Sequence, residues 1–506
     1  MNRHHKRRRL ATLAACVGTT AALAALGSAG SALASVACRA PGYASGSSFQ
    51  STALSSVFLT STGWGAHSNC AVAPTSSTIT YTKTSSGQGL EEFGNATGHF
   101  IPERDHTAFI SETGTKDVAG QVLDWFVGTD DAPTPRELGE AKIAAGAKNP
   151  AEITIPVAQA PVAVLLSLPA GCKLLASSAV DINNTTLPQL WEGTNAASGE
   201  DPGGIQAQGG YAIGTWGALF HQLGYTKITS GTPEAGQVLD EGGATGCEAA
   251  IKPQVRQTSS GTSFAFKSYL SQINPVVWNG FAGDAPTWPS GAVITTNLKT
   301  GSETEHLLND SGGHLAANTA ANPGSVGYAN TADAVGNGAF NNAATTSTFS
   351  TGAAETHSAS HQILWAEVQN NGLSTEGATY EDPVVPSTTV GNCETTLILP
   401  SEEGFPYSYT DSWNGLLASD PNISASAGAT DYSICALTYD LVFHHYSNKN
   451  LFSTTETAHE IANTVRDLFE YITTQGQTDI QSHYYTRYPT GFQSHVHLAV
   501  NPGIGY

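Results

Sequence analysis

Val255-Arg256-Gln257-Thr258-Ser259-Ser260-Gly261-Thr262-Ser263-Phe264 sets one arginine four residues ahead of a Ser-Gly-Thr turn, and an apolar run with helical spacing follows. The first turn of a helix carries N–H groups without intrahelical partners and a partial positive charge. Hydroxyls at the cap add donors, and a guanidinium grips two oxygens at once. The stretch therefore predicts a helix start shaped to hold a small oxyanion. The plain alternative is a Ser/Thr helix cap beside a surface arginine.

Outward from this turn the same grammar recurs. Thr78 to Tyr81 alternates as a strand before Ser85-Ser86-Gly87-Gln88-Gly89-Leu90, and Trp125-Phe126-Val127 leads into Gly128-Thr129-Asp130-Asp131-Ala132-Pro133 with a helical pattern at 136–145 behind it. Short apolar strands followed by Gly/Ser turns and helices are βα units, so the fold class is α/β with a mostly parallel sheet. Ligands of open α/β sheets sit where strand tips meet helix starts. Ile153 to Leu168 reads as a buried strand with prolines at its margins, a crossing between lobes. Further elements are a helix over 263–273, a short strand over 324–329, a strong strand over 432–442 and an amphipathic helix over 456–474. Residues 334–359, rich in Gly, Asn, Ala, Ser and Thr, read as a surface loop.

Composition narrows the function classes. The first 34 residues combine Arg3, Lys6, Arg7, Arg8 and Arg9 with an apolar run and Ala32-Leu33-Ala34, the pattern of a cleaved export signal. With those five basic residues removed, 16 basic residues face 42 acidic ones, a net charge near −26. Such a surface argues against nucleic acid or anionic membrane as partner, so an anion must be held by local geometry. No later run is long and apolar enough for a membrane helix. Ser35-Val36-Ala37-Cys38 is a poor lipoprotein site, which favours a secreted, extracellular or cell-surface form. Six cysteines remain beyond the leader, and an even number in an exported chain implies disulfides. Of the fifteen possible pairings, nearest neighbours are the simplest: Cys38 with Cys70, Cys172 with Cys247, Cys393 with Cys435. His357 with His361, His444 with His445, and His495 with His497 have ligand-like spacing, but without carboxylates beside them.

Four motifs in one order carry a resemblance. Gly46-Ser47-Ser48-Phe49, the serine turn between Tyr81 and Gly89, the acidic loop from Gly128 to Pro133, and Arg256 with Ser260-Gly261-Thr262 resemble the phosphate-binding component of bacterial ABC transporters, the PstS-like branch of the type II periplasmic binding proteins. Leu190-Trp191-Glu192-Gly193, 324–328 and 432–441 fall in the same order. The resemblance implies a two-lobe clamshell with insertions, with residues 35–160 and 430–506 in lobe I and residues 161–429 in lobe II. It implies a non-enzymatic, cofactor-free monomer that binds inorganic phosphate for an ABC transporter membrane component. Carried over position by position, Ser48, Phe49, Ser86, Asp131, Arg256, Ser260, Gly261 and Thr262 line the cleft.

Asp131, chosen over Asp130, suits only a ligand that brings a proton to it, as phosphate does and sulfate does not. Thr258 stands where the resemblance calls for an aspartate beside the arginine, which predicts a less restrained guanidinium and a less negative pocket. Extra residues at 94–123 and 334–428 enlarge the chain around the cleft. The rival readings are an interaction protein on a degenerate clamshell and a phosphatase-like metalloenzyme.

Overall fold

The computed structural model describes residues 36–87, 122–131, 152–192, 213–289, 309–340, 362–394, 430–446 and 455–488 apart from gaps of one to three residues, with Gly89 and short pieces at 115–116, 420–421, 496–497, 500 and 503–505. The export signal, the helix expected over 136–145, the Ala132-Pro133 end of the acidic loop and most of the extra segments lie outside the described residues.

Eight strands build the main sheet: β1 (Gly42–Gly46), β2 (Ile79–Lys83), β3 (Phe126–Thr129), β4 (Glu152–Ser167), β5 (Lys252–Pro253), β6 (Ser325–Asn330), β7 (Ile363–Trp365) and β8 (Cys435–Phe443). Their order is β5-β6-β4-β8-β3-β1-β2, with β7 also on β4. β1 runs parallel to β2 and β3, and β5 parallel to β6. The contacts of β4 with β6, β7 and β8, and of β8 with β3, are antiparallel. The sheet is therefore mixed rather than mostly parallel. Two parallel groups are joined by long strands that run against them, and strands of that orientation need no crossover helix between partners.

β4 explains most of this arrangement. From Ile153 onward its residues are buried, as expected of a strand with no solvent face. Its partner changes midway: Glu152 to Pro161 pairs with β8, and Val162 to Ser167 pairs with β6. Opposite Thr438 and Tyr439 stand Ala158 and Pro156, so Val157 is an extra residue and the ladder bulges there. A proline cannot donate to a ladder, and a bulge re-aims nearby side chains. One of these is Thr438, which returns below.

Four helices matter for the site: α1 (Gly261–Ile273), α2 (Gly312–Ala321), α3 (Thr331–Gly336) and α4 (Thr455–Ile472). α3 replaces the first residues of the loop expected from Ala334 onward. α4 packs Phe469 edge-on against Phe126 of β3 at 5.3 Å between ring centroids. The three disulfides are Cys38–Cys70, Cys172–Cys247 and Cys393–Cys435, the nearest-neighbour set. The longest, with a separation of 75 residues, is of a size that restricts the unfolded chain by about 4 kcal/mol.

Candidate functional site

The strand tips converge on Asp130. β1 ends at Gly46, whose φ of 123° no side-chain-bearing residue adopts easily and whose Cβ position would lie 2.2 Å from the Gly128 carbonyl oxygen. This close approach turns the chain so that the Ser47 N–H donates to Gly128 O at 2.8 Å and the Ser47 hydroxyl donates to Asp130 Oδ1. From the end of β2 comes Ser86, whose Oγ donates to Asp130 Oδ2 at 3.1 Å. From β8, at the bulge, Thr438 Oγ1 donates to Asp130 Oδ1 at 3.0 Å. Asp130 itself is 4% exposed.

The first turn of α1 closes onto the same carboxylate. Ser260 caps the helix, accepting from the Ser263 N–H at 3.3 Å. The Gly261 N–H donates to Ser86 Oγ at 3.2 Å, and a Cβ on Gly261 would meet the Asp130 Cβ at 2.4 Å, so only glycine fits. Thr262 is 1% exposed, and its Oγ1 has no hydrogen-bond partner among the described residues. Buried hydroxyls are nearly always paired in a folded protein, so this one is an available donor and acceptor.

Arg256 is buried and firmly held. Its Nε donates to Asn309 O at 2.8 Å, one terminal nitrogen to Ser260 Oγ at 2.9 Å, and the other to Thr258 Oγ1 at 3.2 Å. Its backbone N–H donates to the Tyr328 hydroxyl at 3.2 Å, and the Tyr328 ring stacks on Phe266 of α1 at 4.6 Å. The expectation of a less restrained guanidinium is thus overturned. Thr258 contributes an acceptor in place of a carboxylate, and a backbone carbonyl and a cap serine supply the rest.

The charge missing at Thr258 comes from elsewhere. Both Asp130 and Asp333, the latter on α3, feel the Arg256 charge. Burial pushes Asp130 up to about 6, against the hydrogen bonds from Ser47, Thr438 and Ser86 and the pull of Arg256. Burial also raises Asp333, opposed mainly by Lys83. Beneath Asp130, the buried Asp440 of β8 accepts from Gln50 Nε2 at 2.7 Å and is raised well above the carboxylate range by burial.

The residues expected at the site divide as follows. Ser86, Arg256, Ser260, Gly261 and Thr262 gather at the start of α1. Ser48 lies on its other side, accepting from the Gly312 N–H of α2 at 3.3 Å. Phe49 is fully buried, its N–H donating to Ser47 Oγ at 3.0 Å and its carbonyl accepting from Tyr485 and from Asn330 at 3.4 Å.

Asp131, the carboxylate expected at the site, stands one residue beyond the one that Ser47, Ser86 and Thr438 hold. It is half-buried, its N–H donates to Thr129 Oγ1 at 3.1 Å, and its charge acts on Lys267 and Tyr439. Side chains alternate along β3, so Asp130, two residues beyond Gly128, continues toward the face over which Gln50 and Tyr81 pack. That alternation, readable from Gly128-Thr129-Asp130, was the available signal. Thr438 and Lys83 carried none, because their partners Asp130 and Asp333 are distant in sequence. Among the described residues no group of three metal-ligating side chains occurs. His444 Nδ1 faces the Gly503 carbonyl, and His357, His361 and His495 lie outside the described residues. Among the described residues no helix is long and apolar enough to cross a membrane.

No protein-family model matches this sequence, and none of the curated proteins matches it. Among solved structures the chain is similar to a high affinity periplasmic phosphate-binding protein (PfluDING) bound with phosphate, at 17% identity over 92% of this chain and 99% of the other, with a TM-score of 0.49. It is similar to a phosphate binding protein from Stenotrophomonas maltophilia at 16% identity over 91% and 94%, with a TM-score of 0.49. A human phosphate binding apolipoprotein gives 17% identity over 90% and 94%, with a TM-score of 0.47.

Proposed function

We propose that this chain binds inorganic phosphate, or a related protonated oxyanion, at the Asp130–Arg256 cluster, as an exported solute-binding protein that serves ABC-type uptake and is not an enzyme. The observation that carries the reading is a buried carboxylate set directly against the first turn of a helix whose buried Thr262 hydroxyl has no partner among the described residues. A carboxylate repels every anion except one that brings a proton for it to accept. Hydroxyls, helix N–H groups and a guanidinium favour an anion of several oxygens. Together they describe a tetrahedral oxyanion that is protonated near neutral pH, which is phosphate and not sulfate.

The same reading assigns the two lobes. Residues 35–160 with 430–506 form one and residues 161–429 the other, and the change of partner along β4 between Pro161 and Val162 supports that boundary. The site then draws Ser48, Ser86 and Asp130 from lobe I and Arg256 and the α1 turn from lobe II. Phosphate entering between them takes the N–H groups of Gly261 and Gly312 from the serines and adds the Thr262 hydroxyl. Calorimetric titration of the mature chain with phosphate and with sulfate tests this. Tight phosphate binding without sulfate binding is expected, and equal affinity for both would overturn it.

A further inference from the structure

We propose that Asp333 is a second carboxylate of the phosphate site and that its ion pair with Lys83 sets which charge state of the anion the site accepts, an inference that rests on the phosphate reading above. Asp333 is 4% exposed. Asn330 Nδ2 donates to its Oδ2 at 2.9 Å, and its own N–H donates to Asn330 Oδ1 at 2.7 Å. The carboxylate rests on the first residue of α2: a Cβ on Gly312 would come within 2.2 Å of Oδ2. That same Gly312 donates its N–H to Ser48 Oγ. Asp333 therefore stands behind the Ser48 side of the site as Asp130 stands behind the Ser86 side.

One guanidinium serves both carboxylates. The Arg256 charge acts on Asp130 and on Asp333 alike. With both ionised, the pair outweighs it by one negative charge, which an incoming anion would meet. Lys83, at the end of β2, removes the excess: its Nζ lies 3.4 Å from Asp333 Oδ1 and 3.4 Å from the Cβ position of Gly313. Among the described residues the titratable groups coupled to Asp333 include Lys83, Arg256 and Tyr485, the ionisation of Tyr485 being disfavoured by the Asp333 charge. Without Lys83, Asp333 must be protonated before an anion settles, so affinity falls as pH rises through the range in which Asp333 loses its proton.

The experiment is calorimetric titration of the mature chain with inorganic phosphate between about pH 5 and about pH 8, each variant expressed relative to wild type at the same pH so that the ligand's own ionisation cancels. Lys83→Met is expected to bind about tenfold more weakly than wild type near pH 8 and within about threefold of it near pH 5. Lys83→Arg should follow the wild-type profile. The double variant Lys83→Met/Asp333→Asn should regain affinity near pH 8, because both the ammonium and the charge it balances are gone. The Lys83 side chain is 38% exposed, so its replacement leaves the core intact. A Lys83→Met profile parallel to wild type, or a double variant as weak as the single one, overturns the inference and leaves phosphate binding standing. A wild-type chain that binds no phosphate overturns the binding reading and this inference with it.

Discussion

Two corners of the site are built to one plan and balanced differently. At the first, Asp130 receives hydroxyl donors from Ser47, Ser86 and Thr438, and the N-terminus of α1 closes on it through Gly261. At the second, Asp333 lies against the N-terminus of α2 through Gly312, beside Ser48, and is held by Asn330 and Lys83. Each corner is a serine, a buried carboxylate and a helix start. Among the described residues an ammonium is paired with the carboxylate at the second corner, where Lys83 meets Asp333. Hydroxyl donors stabilise a carboxylate without cancelling its charge, so burial holds Asp130 up at about 6, whereas at Asp333 the Lys83 ammonium is the main group opposing the same effect of burial. On the phosphate reading proposed above, Asp130 is the carboxylate that meets the ligand's proton and Asp333 the one whose charge Lys83 offsets.

The group shared by both corners gives the largest test. Arg256→Ala should weaken phosphate binding by about 2 to 4 kcal/mol in calorimetry, since a desolvated charge contact is lost. Unchanged affinity would remove the common element. Next comes the close contact peculiar to the first corner. Gly261→Ala drives a methyl group into the Asp130 backbone and should cost about 1 to 3 kcal/mol of stability in denaturant unfolding, with binding lost. A neutral effect would mean that the two loops stand further apart than the contact implies.

Asp130→Asn addresses proton reading directly. It should admit sulfate, and continued rejection would place discrimination at Asp333 instead. The same replacement predicts a pH effect of definite sign. Asp130 titrates near 6 in the folded protein, above the ordinary carboxylate value, so its contribution to stability is present below about pH 4 and lost as pH rises through about 6. The asparagine variant should lack that part of the decline, visible as a smaller fall in Tm between these pH values. The smallest effect is expected at Thr262. Thr262→Val removes a buried hydroxyl that has no partner among the described residues, so stability should hold or rise slightly while phosphate affinity drops by about 1 kcal/mol. Loss of stability would show that the hydroxyl already has a structural partner.

Much of the architecture was legible along the chain. The largely apolar run behind β4, the cap at Ser260 and the serine turns after β1 and β2 are local patterns, since hydrophobic periodicity and capping chemistry act within a few residues. The cysteine pairs followed because each is nearest its partner in sequence. Local pattern was less reliable where partners are remote. The sheet proved mixed because strand direction is a property of pairing and no short window encodes it. Asp131 was preferred over Asp130 because adjacent residues in a turn look alike until the strand before them fixes which face each occupies.

Residue types alone determined that this chain carries helix starts and serine turns suited to an anion, and that an acidic protein must hold such a ligand by geometry. Folding selected the carboxylate, brought Thr438 to it at a bulge, and set Lys83 against Asp333 across 250 residues of chain. The reason is physical: a cap is satisfied by neighbours three residues away, whereas a buried charge must be balanced by whatever group tertiary packing delivers.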